Sequence, residues 1–295
     1  MLGAGATGGA FGTLHLEAGR DVTFLVRGRR AESLRREGLH VVTTEGEHRH
    51  DVNVLETGEQ AEAFDLIIVT VKATALPAAL ESVRPYVTPS TKIMPILNGM
   101  AHMDVLENAF PGQVLGGLAK IFATLDGNTV RQFAPMTTLT VGALDGSAVP
   151  AEIVEALKAP GIDLTVSDHV VDDMWAKWTF IATAGVITCL FRGSVGDIIA
   201  AGGREYILQA IDELESVSVA AGHPVSDASH AQSLQILDAE GSPFTSSLYR
   251  DVIAGGPTEA EHILGDFQQR ARQLSVETPL LNLALVQLRA NALLS

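Results

Sequence analysis

The sequence predicts an α/β half followed by an all-helical half. Strand-like and helix-like runs alternate up to about residue 166, a glycine-rich turn sits just before the first helix-like run, and beyond residue 168 almost only helical periodicity remains. Strand followed by helix, repeated, calls for parallel strands joined by right-handed crossovers. We therefore expect two domains, residues 1–166 and 167–295; a chain of 295 residues is long for one core and comfortable for two.

The elements follow in order. After the glycine-rich residues 3–12 a helix-like stretch runs to Gly19, which suits the left-handed position just past a helix end. Residues 21–26 are a short apolar strand run, and residues 39–44 a second. Residues 66–71 are nearly all apolar, as in a strand buried on both faces. A helix pattern covers residues 75–83. Residues 93–97 form a further strand in which Pro95 demands an edge or irregular position. Residues 115–141 are β-like, residues 152–158 helical and residues 163–166 strand-like. Helices are then expected over residues 170–190, 204–220, 259–274 and 279–294.

Composition excludes several classes. Apolar residues make up 46% and charged residues 19%, an ordinary balance for a soluble globular protein. The formal net charge of −15 argues against nucleic acid or an anionic membrane as partner. One cysteine, Cys189, leaves no disulfide within the chain and points to a reducing cytoplasm. No secretory leader is expected at Met1. The longest uncharged run, between Lys177 and Arg192, is short of the ~20 residues of a membrane span and is taken as a buried helix.

Gly3-Ala4-Gly5-Ala6-Thr7-Gly8 fits G-x-G-x-x-G at the mouth of a helix. Such glycines allow a tight turn and let a pyrophosphate approach backbone N–H groups at the positive end of the helix dipole. A bare glycine turn satisfies the same pattern, but the helix and strand that follow favour a Rossmann-type dinucleotide site built on Gly3, Gly5, Ala6, Thr7 and Gly8. The next strand ends at Arg27, where NAD-binding folds place an acid on the ribose. Arg27, Arg29, Arg30, Arg35 and Arg36 crowd there instead, and arginine matches a phosphate, which points to NADP(H). Arg27 is the best candidate for contact; Arg35 and Arg36 suit a solvated helix face. Only Met1 and Leu2 precede Gly3, where a strand averages ~5–6 residues. The natural chain is therefore expected to begin a few residues upstream.

Together with that turn, Val69-Thr70-Val71-Lys72, Leu97-Asn98-Gly99-Met100, Met174-Trp175-Ala176-Lys177, Ser246-Ser247-Leu248-Tyr249-Arg250-Asp251, Gly256-Pro257-Thr258-Glu259 and Glu277-Thr278-Pro279 occur in order along the chain. In these segments the sequence resembles the ketopantoate reductase family. The resemblance implies a Rossmann-type domain followed by an all-α domain, and NADPH-dependent reduction of 2-dehydropantoate to pantoate. It implies Lys177 as proton donor to the substrate oxygen and Glu259 as hydrogen-bond partner of the substrate hydroxyls. Asn98 and Lys72 match residues beside nicotinamide and substrate, and Ser247 the serine that holds the carboxylate.

The residues allow this chemistry. Hydride delivery to a ketone leaves alkoxide charge that a lysine both stabilises and quenches, provided its pKa falls from ~10.4. Taken alone, Lys177 suits a lysine snorkelling from a buried helix, Glu259 a first-turn acid and Asn98-Gly99 a turn. The family's further asparagines fall on Ile181, Gly185 and Val195. Three missing hydrogen bonds, at roughly 0.5–1.5 kcal/mol each, leave the identity of the oxo acid open. A different branched 2-oxo acid is one alternative, and a non-catalytic NADP-sensing protein another. A homodimer is the candidate assembly. His48 and His50 share an expected loop and no H-E-x-x-H occurs, so no metal is expected.

Overall fold

The computed structural model describes residues 1–256 and 258–294; Pro257, with its place in the Gly256–Glu259 motif, and Ser295 lie outside the described residues. The chain divides into two compact units, Met1–Leu97 with His102–Val170, and Asn98–Ala101 with Val171–Ser295.

In the first unit β1 (Thr23–Leu25) pairs in parallel with β4 (Asn53–Leu55), and β5 (Leu66–Val69) with β6 (Lys92–Pro95). Leu2 bridges Leu25 on one side and Val69 on the other. Its N–H donates to Ile68 at 2.8 Å, and its carbonyl accepts from Thr70 N–H at 3.0 Å. One residue thus occupies the central position where such a fold normally has a full strand. Pro95 is tolerated because it is the last residue of β6.

The second sheet is mixed rather than parallel. β2 (Leu39–Val42) lies between β3 (Glu47–His50), antiparallel, and β8 (Thr129–Ala143), parallel; β8 also pairs with β7 (Leu115–Asp126) and β9 (Asp163–Val166). His48 and His50 therefore sit on a strand, not in the expected loop. Helix α1 (Ala6–Glu17) packs between two apolar clusters, one holding Phe11, Met94, Leu139 and Leu157, the other Phe24, Leu34, Leu39 and Val130. Its glycines permit the approach: a Cβ on Gly12 would stand 2.3 Å from Phe24 Cζ. A glycine inside a helix costs ~0.5–1 kcal/mol, which this packing offsets. Helix α2 (Arg29–Glu37) follows β1, α3 (Leu76–Val83) follows β5, α4 (Ala101–Ala109) follows β6, and α5 (Ala151–Leu157) precedes β9.

The second unit holds α6 (Val170–Phe191), α7 (Val195–Ala200), α8 (Arg204–Ala220), α9 (Asp227–Leu237), α10 (Ser247–Ile253), α11 (Asp266–Gln273) and α12 (Pro279–Leu294). By length and composition α6 could cross a membrane, yet 67% of its apolar window is buried inside the protein, as in a core helix. Serines start three of the short helices. Ser194 and Asp197 form a capping box on α7, and Ser226 and Ser246 cap α9 and α10. The cap of α12 comes from afar: Glu213 on α8 accepts from Leu280 N–H at 3.1 Å and Leu281 N–H at 3.0 Å. The single helix expected over residues 259–274 runs from Ala260 to Gln273 and contains a π-helical turn, Glu261–Gly265, before α11.

Candidate active site

The glycine-rich turn of the first unit leaves the start of α1 open. Gly5 is its N-cap, no side chain caps it, and no acid stands in its first turn. The first N–H groups of the helix therefore keep their capacity for an anion. A Cβ on Gly5 would meet nothing within 4 Å, whereas one on Gly8 would lie 2.5 Å from the Gly3 carbonyl. The turn is thus open on one side and closed on the other, and Gly3 holds φ +103°. Thr70 fixes its base, its Oγ1 donating to the carbonyls of Leu2 and Gly3 at 3.1 Å each. These features fit a pyrophosphate. Lys72 is exposed at the head of the 3₁₀ turn Ala73–Ala75.

The arginines divide by role. Arg27 is exposed at the end of β1 and makes no hydrogen bond or ion pair among the described residues. Arg35 is bound to Glu56 at 2.6 Å and Glu59 at 2.7 Å, and Arg36 to Glu37 at 2.5 Å. Arg30 does something the sequence did not reveal. Its Nε donates to Ala4 O at 2.9 Å and its Nη1 to Asn128 O at 3.0 Å, so it ties the glycine-rich turn to the β7–β8 hairpin. Burial lowers its pKa below the usual arginine value. An acid is also nearer than the sequence implied: Glu56, just past β4, accepts from Gly28 N–H at 3.1 Å.

In the second unit several of the expected residues gather around one segment. Lys177 is half-buried on α6, directly before Trp178. The Trp178 Nε1–H donates to Ile263 O at 2.9 Å, and its ring meets Phe267 edge-on at 4.6 Å. The Arg270 guanidinium lies over both Trp175 and Trp178, 5.9 and 5.6 Å from the ring centroids. The lysine-bearing turn is thereby locked onto the π-helical turn. Half-buried Glu259 lies just upstream of that turn. Asn98-Gly99 also belongs to this unit: Gly99, at φ +82°, packs so closely that a Cβ would stand 3.2 Å from His262 O. The residues next to Lys177 and Asn98, namely Trp178 and Gly99, thus both pack on the segment 259–265, which carries Glu259.

The serine pair splits. Ser246 is buried, shares a 2.7 Å hydrogen bond with Thr188 Oγ1 and caps α10, while Ser247 is exposed. Gly185 faces apolar groups, its Cβ position lying 3.3 Å from Leu248 Cδ2 and 3.5 Å from Leu264 Cδ2. Val195 is fully buried, and Ile181 is half-buried one helical turn beyond Lys177.

An uncapped glycine turn on a parallel sheet, joined to a helical unit that anchors a lysine and a glutamate, defines an oxidoreductase of the dinucleotide-binding class. The comparisons make the class specific. Residues 1–146 match the family model for ketopantoate reductase PanE/ApbA, and residues 169–292 match that for its C-terminal part. The chain belongs to the ketopantoate reductase family. It is 32% identical to the uncharacterized oxidoreductase YkpB of Bacillus subtilis over 95% of this chain and 94% of that protein. It is 24% identical to a 2-dehydropantoate 2-reductase of Streptococcus pyogenes over 95% of this chain and 92% of that protein. The fold is shared with D-mandelate dehydrogenase solved with NADH and anilino(oxo)acetate, at a TM-score of 0.87 and 19% identity over 98% of this chain and 96% of that one.

Proposed function

We propose that the chain reduces the keto group of a 2-oxo acid with NADPH, with 2-dehydropantoate as substrate and pantoate as product. The reading rests above all on the neighbours of Lys177 and Asn98 packing on the segment that carries Glu259, because general acid catalysis requires its groups held in fixed register. The nicotinamide, when bound, supplies the hydride. Backbone N–H groups of residues 5–8 hold the pyrophosphate, Arg27 pairs with the extra phosphate, and Lys72 stands beside the cofactor. Asn98 orients the substrate beside the nicotinamide. Lys177 gives its Nζ proton to the oxygen as negative charge develops there, Glu259 accepts from a substrate hydroxyl, and Ser247 donates to the carboxylate. Pantothenate biosynthesis and the cytoplasm are the corresponding setting, and buried Cys189 suits a reducing compartment.

One observation favours a second substrate reading. Ile181 places an apolar side chain beside the proton donor, which suits a branched 2-oxo acid with no terminal hydroxyl. The deciding measurement is NADPH oxidation with 2-dehydropantoate and with trimethylpyruvate, in the wild type and in Lys177→Ala. Loss of ~10²–10⁴-fold in kcat is expected for the variant with cofactor affinity kept. Turnover within tenfold of wild type would remove Lys177 from its role, and a clear preference for trimethylpyruvate would replace 2-dehydropantoate as the substrate.

A further inference from the structure

We propose that Glu17, His48 and His50, none of them assigned a role above, form a Zn²⁺ site on the first unit. Glu17 ends α1, and His48 and His50 alternate on β3, so both rings leave the same face of the strand. Their donor atoms lie within 4.8 Å of one another. Glu17 Oε1 stands 3.2 Å from His50 Nε2 and 3.5 Å from His48 Nδ1. Zinc binds imidazole nitrogen and carboxylate oxygen at ~2.0–2.2 Å, which puts neighbouring ligands of a tetrahedron roughly 3.3–3.5 Å apart. The two separations are those of a tetrahedral edge.

The arrangement is better suited to a cation than to hydrogen bonding. His50 Nε2 is buried and makes no hydrogen bond among the described residues, although a carboxylate oxygen lies 3.2 Å away. The two imidazoles are nearly parallel, 7° between planes with centroids 6.3 Å apart, so both present a nitrogen toward the same carboxylate. Two imidazoles and one carboxylate select a borderline ion such as Zn²⁺ over Mg²⁺ or Ca²⁺, which prefer all-oxygen sets. Three protein ligands leave a fourth position for water. Glu17 is exposed, so the ion reaches the site from solvent. Once bound, the ion staples the C-terminal end of the cofactor helix to β3, the edge strand of the second sheet.

The test uses the full, tag-free chain stripped with chelator and titrated calorimetrically with ZnCl₂. One Zn²⁺ per chain and a raised Tm are expected. His48→Gln and His50→Gln should each weaken binding ~10-fold or more, since even outer-shell partners of a metal ligand contribute that much. Glu17→Gln, at an exposed helix end, is the variant least able to disturb folding and should weaken binding too. With Co²⁺ in place of Zn²⁺, the wild type should show the intense visible bands of a four-coordinate ion, and His50→Gln should not. Absence of saturable Zn²⁺ binding, or unchanged affinity in all three variants, would overturn the site. Turnover of a 2-oxo acid has no bearing on either result.

Discussion

Replacing Gly185 by the asparagine that the family resemblance leads one to expect tests how this chain differs from its relatives. A Cβ at this position lies 3.3 Å from Leu248 Cδ2 and 3.5 Å from Leu264 Cδ2, and those leucines are 3% and 0% exposed. Gly185→Ala adds that atom alone. It gains ~1 kcal/mol of helix propensity against a tight contact, so it should be neutral or slightly stabilising. Gly185→Asn drives an amide between the leucines. Overpacking costs ~1–3 kcal/mol, an unpartnered buried amide a further ~1–3 kcal/mol, and propensity returns less than about 0.5 kcal/mol. The net expectation is roughly 1.5–6 kcal/mol of lost stability, read by urea unfolding at constant m. No gain in kcat/KM for 2-dehydropantoate should accompany it. A Gly185→Asn variant within about 0.5 kcal/mol of wild type, or one with improved turnover, would show that the introduced side chain reaches substrate and that the packing argument fails.

Two further predictions concern cofactor choice and pH. Arg27→Ala should weaken NADPH roughly 10–150-fold, the loss of one charge-assisted contact, and leave NADH unchanged; equal effects on both cofactors would assign the extra phosphate to another group. Burial raises the Glu213 pKa above its ordinary 4.5, outweighing the two backbone N–H groups that lower it. The folded state therefore holds this proton more tightly than the unfolded state, and its contribution is complete below the ordinary value and lost as pH rises through the folded one. The Tm advantage of wild type over Glu213→Gln should shrink across that window; a gap that is flat or widens with pH would reverse the sign.

Legibility in the sequence tracked how local the cause was. β5 is four apolar residues and α6 a long apolar run, so hydrophobicity alone located them. The glycine turn was legible because close approach to backbone demands glycine. β3, Glu-His-Arg-His, has no apolar residue; it exists only because β2 offers an edge to pair with, which no local pattern reveals. The same holds for Leu2, a single residue bonded from both sides, and for Glu213, which caps a helix more than sixty residues away. Arg30 was visible as one arginine in a crowd, but its contact with Ala4 depends on how α2 returns to the glycine turn. Motif order pointed to Lys177, Glu259 and Asn98 individually. Their common anchor depends on Trp178 reaching Ile263 and Gly99 packing on His262, both long-range contacts.

The three positions where amides are absent do not count equally toward substrate choice. Gly185 is backed by Leu248 and Leu264, and Val195 is fully buried with its N–H donated to Phe244 O at 3.0 Å. A Cβ on the neighbouring Gly196 would stand 2.7 Å from the backbone of residues 241–242, so the chain there is closely packed. At these two positions protein fills the space an amide would take, and neither leaves a polar vacancy facing a substrate. Ile181 is different. It is half-buried, one turn beyond Lys177 on the same helical face, and its apolar side chain offers no hydrogen bond there. The expected loss for a hydroxylated oxo acid then falls from three hydrogen bonds to one, roughly 0.5–1.5 kcal/mol. A penalty of that size, at most about tenfold, is compatible with the proposed reduction of 2-dehydropantoate, and under that proposal position 181 is the one of the three to test.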